Sequence, residues 1–198
     1  MKIVLATKNP GKLKELTELA KGLADRVELV LAPEEFDPEE TGATYLENAI
    51  IKATAAAGMT NMISIADDSG LEVDAMDGRP GVHSARYCEG SDGDRRKKLL
   101  NELASVPEGK RQAQFVCCMA ICDPSQSESI IYKAEGIWRG RIGFEERGAG
   151  GFGFDPIFYE TDSDVTAAQL PAAEKNRKSH RGLAWQQVLS FLEKTLIR

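Results

Sequence analysis

Short runs of β-branched and other apolar residues alternate along this chain with stretches whose apolar positions recur at helical spacing. That alternation predicts an α/β protein. Lys2 to Ala6 reads as a first strand, central in its sheet, and Leu13, Leu16, Leu19, Ala20 and Leu23 mark the helix that follows. Val27 to Ala32 predicts a second strand. An acidic loop from Pro33 to Gly42 leads into a helix from about Thr44 to Ala57, with Leu46, Ala49, Ile50, Ala53 and Ala57 on one face. Ile63 to Leu71 reads as a short apolar strand that ends in Asp67, Asp68 and Ser69 and turns at Gly70. After Leu71 to Asp74 comes a rigid bend, Gly78-Arg79-Pro80-Gly81, and then a charged helix from Asp94 to Ala104 that buries Leu99, Leu100 and Leu103. Ala113 to Cys122 and Ile130 to Trp138 predict a long hairpin through Asp123-Pro124-Ser125, which widens a sheet or carries an oligomer interface. Leu183, Ala184, Val188, Leu189 and Leu192 mark a last helix.

Composition narrows the class without changing it. A chain of 198 residues, 42% hydrophobic and 28% charged, suits one domain, with room for two lobes. Its 25 basic and 31 acidic residues leave a net charge of −6, which argues against broad nucleic-acid binding. It does not exclude an anionic ligand, because a few lysines and a metal can dominate one site. The apolar start, Met1 to Ala6, is too short for a signal peptide, and no segment approaches a membrane span, so a cytoplasmic protein is expected. Cys88, Cys117, Cys118 and Cys122 lack zinc-site spacing, and three of them sit in an apolar run, as buried reduced thiols do.

The candidate chemistry sits where predicted strands meet loops. Thr7-Lys8-Asn9-Pro10-Gly11-Lys12 joins a strand to a helix start, where unpaired amides and the positive dipole end attract anions. It is not a Walker A loop: Ala6 stands in place of the first glycine, and Leu13 in place of the residue that would hold magnesium. If the strand persists, Asp67 and Asp68 point to opposite faces, so they need not share a role. The acidic loop can bring Glu39 or Glu40 near them as a metal ligand, and Asn48 and Lys52 form a polar stripe on the helix that follows. In Gly148-Ala149-Gly150-Gly151-Phe152-Gly153-Phe154-Asp155-Pro156 the glycines permit close approach, both phenylalanines could stack on a flat ring, and Asp155 could accept from a base or sugar. Ser179 is a candidate N-cap that puts His180 and Arg181 in a helix's first turn, where positive charge opposes the dipole and hints at a ligand.

In order, Thr7–Lys12, Glu39-Glu40-Thr41-Gly42, Ala66-Asp67-Asp68-Ser69-Gly70, Gly151–Pro156 and Ser179-His180-Arg181-Gly182 resemble the inosine triphosphate pyrophosphatase family, bacterial-type members above all. The resemblance covers nearly the whole chain. It implies a two-lobed α/β fold around a long mixed sheet with flanking helices, the nucleotide in the central cleft, and a homodimer. It implies Mg2+-dependent hydrolysis of ITP, dITP and XTP to the monophosphate and pyrophosphate. By motif matching, Asp68 is the general base and a metal ligand, and Glu39 the other metal ligand. Thr7, Lys8, Asn9, Pro10, Gly11 and Lys12 hold the triphosphate, with Lys52 as a helper, and Ser69 touches substrate. Phe152, Gly153, Phe154, Asp155, Lys175, His180 and Arg181 surround base and sugar. A donor among Lys175, His180 and Arg181, aimed at the 6-keto oxygen, would be left unpaired by adenine. A related family acting on pyrimidine or modified nucleotides shares the architecture but usually has serine and arginine after its first strand. A non-catalytic nucleotide- or RNA-binding module has no use for Glu39, Asp68 and Lys12 together.

Overall fold

The computed structural model describes residues 1–23 and 25–196. Its strands are β1 (Lys2–Leu5), β2 (Glu28–Leu31), β3 (Ser64–Val73), β4 (Gln112–Cys122), β5 (Ile130–Ile142) and β6 (Phe158–Glu160). The helices are α1 (Pro10–Leu19), α2 (Tyr45–Thr60), α3 (Asp92–Glu102), α4 (Ala172–Lys178) and α5 (His180–Thr195). The strands make one mixed six-stranded sheet in the order β2-β1-β3-β4-β5-β6. β1 pairs in parallel with β2 and with β3, which makes it internal as its apolar run predicts, while β5 and β6 run antiparallel. No helix among the described residues is long and apolar enough to cross a membrane.

The chain divides into two compact units. The first comprises Met1–Asp68, Cys117–Gly136 and Arg181–Arg198; the second comprises Ser69–Val116 and Ile137–His180. In the first unit one core gathers Ile3, Leu5, Leu16, Ile65, Met119, Ile121, Trp185 and Val188, with the Trp185 indole N–H donating to the Leu19 carbonyl at 3.1 Å. A second core packs Ala49, Ala53, Ala56 and Ala57 of α2 against Val4, Ala6 and Ala66. Small side chains on that helix face let α2 lie close to the sheet, so the polar residues on the same helix reach groups on β3.

In the second unit Phe115, Trp138 and Phe158 form an aromatic cluster with ring centroids 4.6 to 6.3 Å apart, joined by Leu71, Leu99, Leu103 and Phe154. Arg111, 1% exposed, is satisfied there by backbone: its guanidinium donates to the carbonyls of Leu103, Val106, Ile142 and Gly143.

Two expectations shift, each for a local reason. The strand carrying the paired acids does not turn at Gly70; β3 runs on to Val73, because cations and amides from other elements satisfy carboxylates that would otherwise need water. α3 starts at Asp92 rather than Asp94, because Ser91 and Asp94 close a capping box in front of it. α2 begins at a similar box between Thr44 and Glu47 and ends on Asn61 in the left-handed region.

Candidate active site

In the first unit, α1, α2, β3 and α5 each deliver charged side chains to one buried cluster. Because β3 stays extended, its two acids meet different partners. The Asp68 carboxylate, 7% exposed, accepts from Lys52 Nζ at 3.0 Å on one oxygen and from Asn48 Nδ2 at 3.3 Å on the other, with Lys12 Nζ 3.9 Å away. Asp67, 1% exposed, accepts at Oδ2 from Lys12 Nζ at 3.1 Å and from Arg181 Nε and Nη2 at 3.2 and 3.1 Å. Its Oδ1 is buried with no hydrogen-bond partner. Arg181 also donates to Glu15 at 2.6 Å, and the Cys117 thiol lies 3.9 Å from Asp67.

Charge pairing outweighs burial at Asp67, Lys52 and Arg181. Burial pushes the Asp67 carboxyl up, but Lys12, Arg181 and Lys52 together hold it well below the usual carboxylate range. Burial pulls the Lys52 ammonium down, yet Asp68, Asp67 and Glu40 keep it above its ordinary value. Burial likewise works against the charged Arg181, and Asp67 and Glu15 more than offset it. Cys117 has no such help: burial first, and then the Asp67 charge, push its thiol far above the ordinary range, so it is inert at neutral pH.

Two loops frame the acids. Asn9 caps α1 by accepting from the Gly11 and Lys12 amides at 2.9 and 3.1 Å, and Thr7 Oγ1 accepts from the Asn9 amide at 3.2 Å. The expectation of unpaired first-turn amides is therefore corrected: Asn9 occupies those two, and Pro10 has none to offer. What remains for an anion is ammonium charge from Lys12 and from Lys8, which is exposed. On the acidic loop, Asn48 Oδ1 accepts from Gly42 N at 2.8 Å, and a Cβ at Gly42 would fall 2.6 Å from that oxygen. Asn48 thus ties the loop to Asp68. Glu40 receives Lys52 Nζ at 3.2 Å, while Glu39 keeps its side chain exposed. Among the described residues no three His, Cys, Asp or Glu side chains stand close enough to hold a metal. Glu40 and Asp68 share the Lys52 ammonium, at 3.2 and 3.0 Å, and two such carboxylates are the donor type a hard cation takes beside water and phosphate oxygens.

In the second unit the glycine-rich segment is folded back on itself. Asp155, 2% exposed, accepts from the Phe152 amide at 2.8 Å and from the Lys175 ammonium, which also lies 5.2 Å from the centroid of the Phe152 ring. The partly exposed Phe152 ring is the one available for stacking. Phe154 does not offer its ring: it is 4% exposed and belongs to the aromatic core, since φ +60° at Gly153 reverses the chain between the two phenylalanines. His180 is buried and stacks on Phe115, centroids 4.7 Å apart at 12°. Ser69 is half-buried on β3.

Ser179, extended, directly precedes α5, so His180 and Arg181 do open that helix. The unfavourable charge in its first turn is offset by Glu15 and Asp67. Glu15 escaped notice in the sequence. The only trace of it is an acid three residues after Lys12, beside the apolar stripe of α1.

Comparison with known proteins agrees with the motif reading. The model of the Ham1 family matches residues 3–191. The dITP/XTP pyrophosphatase of Thioalkalivibrio sulfidiphilus is 46% identical over 98% of this chain and 99% of its own, and that of a Nostoc species is 47% identical over 94% and 92%. A HAM1 protein structure from Coxiella burnetii superposes with a TM-score of 0.86 at 40% identity, covering 98% of this chain and 100% of that one. The Staphylococcus aureus Ham1 protein gives 0.85 at 40% identity, covering 98% and 99%. Family model, sequence relatives and backbone all point one way, and the chain belongs to the Ham1 family.

Proposed function

We propose that this protein is a nucleoside-triphosphate pyrophosphatase that cleaves non-canonical purine nucleoside triphosphates (dITP, XTP and ITP) into the monophosphate and pyrophosphate. The observation that carries this reading is the pair of Lys12 and Lys52 held by Asp67 and Asp68 at the middle of β3. Two cations gathered beside adjacent carboxylates are placed to receive a triphosphate. The names of relatives at 46 and 47% identity support the same substrate class.

The chain's own groups divide the work. Lys8, Lys12 and Lys52 neutralise the triphosphate and the departing pyrophosphate. Asp68 positions a water for attack on the α-phosphorus. Held between Lys52 and Asn48, Asp68 acts more by orientation than by basicity. Glu39 and Asp68 would hold Mg2+, which supplies electrostatic stabilisation of the charge that develops on the phosphate oxygens. Asn9 holds the first turn of α1, so that Lys12 projects from a fixed position. In the second unit, Phe152 would stack on the base. Lys175, His180 or Arg181 is the donor for a 6-keto oxygen, and Asp155, Gly153 and Ser69 complete the contacts with base and sugar. A homodimer belongs to the same proposal, and light scattering on the purified chain checks it.

The test is to incubate the protein with Mg2+ and, separately, ITP, XTP, dITP, ATP, GTP and dTTP, resolving mono- and diphosphate, pyrophosphate and phosphate. Monophosphate with pyrophosphate from ITP, XTP and dITP alone is expected. Preference for dTTP, or release of phosphate instead of pyrophosphate, contradicts the reading.

A further inference from the structure

We infer that α3 is a positioning element for base recognition, acting through Asp92 and Arg96 on the Gly153 peptide. Asp92 Oδ2 accepts from Gly153 N at 2.8 Å, and Arg96 Nη1 donates to Gly153 O at 2.7 Å. One residue in a left-handed conformation is therefore gripped at both its N–H and its C=O, which fixes the two peptide groups that flank it. Arg96 also reaches Glu146 at 2.9 Å through Nη2, so a single guanidinium bridges the start of the glycine-rich segment to its turn. Its side chain is 15% exposed, and its Nε is buried without a hydrogen-bond partner. A planar fork can serve two acceptors in this way and an ammonium cannot.

The neighbouring amide, Phe152 N, goes to Asp155 at 2.8 Å. Successive amides of the turn are thus fixed by carboxylates from two different segments, and the half-exposed Phe152 ring is presented between them. Asp92 and Arg96 touch the loop and not the substrate, which makes them positioning residues whose effect falls on the base end alone. The inference rests on the proposed assignment of Phe152 to the base.

The test compares wild type with Arg96→Lys and Asp92→Ala. It measures affinity for inosine 5′-monophosphate, inhibition by inorganic pyrophosphate, and amide exchange at Phe152 and Gly153. α3 keeps its Ser91–Asp94 capping box and its buried Leu99 in both variants, so the fold is retained. Loss of a charge-assisted hydrogen bond should weaken the monophosphate roughly ten-fold. Amide exchange at the two positions should accelerate while pyrophosphate inhibition stays at the wild-type level. Faster exchange with unchanged monophosphate affinity overturns the inference and leaves a purely structural clamp. A parallel loss of both ligands also overturns it, as general destabilisation. If wild type itself binds pyrophosphate but not the monophosphate, the base assignment fails and takes the inference with it.

Discussion

Asp67 and Asp68 are adjacent in sequence and opposite in surroundings. Asp67 lies among Lys12, Arg181 and Cys117, fully buried, with one oxygen unpaired; Asp68 shares Lys52 and Asn48. Since the folded protein holds Asp67 below its ordinary value of 3.8, the unfolded chain binds that proton first. Its contribution to stability is complete above the unfolded value and is lost as the pH falls beneath it. Carboxyl-carbon NMR should find Asp67 still ionised at about pH 3, with unfolding free energy falling over that range. Arg181→Met leaves Asp67 and Glu15 buried with one cation fewer, and urea unfolding at neutral pH should show a loss of about 3 kcal/mol. Of these residues, Asp67 and Asp68 were legible in the sequence because they stand together in one of the ordered motifs, and Lys52 because it shares a polar stripe with Asn48 on a predicted helix. Glu15 was not, since pairing between α1 and the start of α5 joins positions 166 apart, and no local pattern encodes it.

Helix starts account for much of what the elements do here. Asn9 caps α1 and fills the amides that a bare helix end would offer to an anion. Asn9→Ala should lower stability by about 1 kcal/mol, and Asn9→Ser by much less, in the same urea measurement. Helical periodicity located α1, α2, α3 and α5 within a few residues, because each has an apolar face and a polar start. β3 was read too short for the opposite reason. Its centre is Asp-Asp-Ser-Gly, which has turn chemistry in water, and only tertiary pairing with Lys12, Lys52, Arg181 and Asn48 makes it a buried strand. Phe154 misled in a similar way: alternating phenylalanines look equivalent until Gly153 at positive φ sends one ring inward.

For the molecule as a whole, burial of the thiols gives an independent probe of the fold. None of the four cysteines is in a disulfide; Cys88 is half-buried, while Cys117, Cys118 and Cys122 are buried. A thiol reagent at neutral pH should label Cys88 in the native protein and the other three only in denaturant, as mass spectrometry of peptides can show. Net charge, −6, gives no hint of an anionic substrate. The information lies in which few cations are buried and paired, which depends on the fold and not on composition. The most direct measurement is the turnover of ITP to monophosphate and pyrophosphate by Asp68→Asn beside wild type, with Mg2+ present and folding verified by the thiol pattern. The substitution keeps the shape of the side chain and removes the charge that positions water. A fall in kcat of roughly a thousand-fold or more is predicted; turnover close to that of wild type would contradict the assignment of the chemistry to β3.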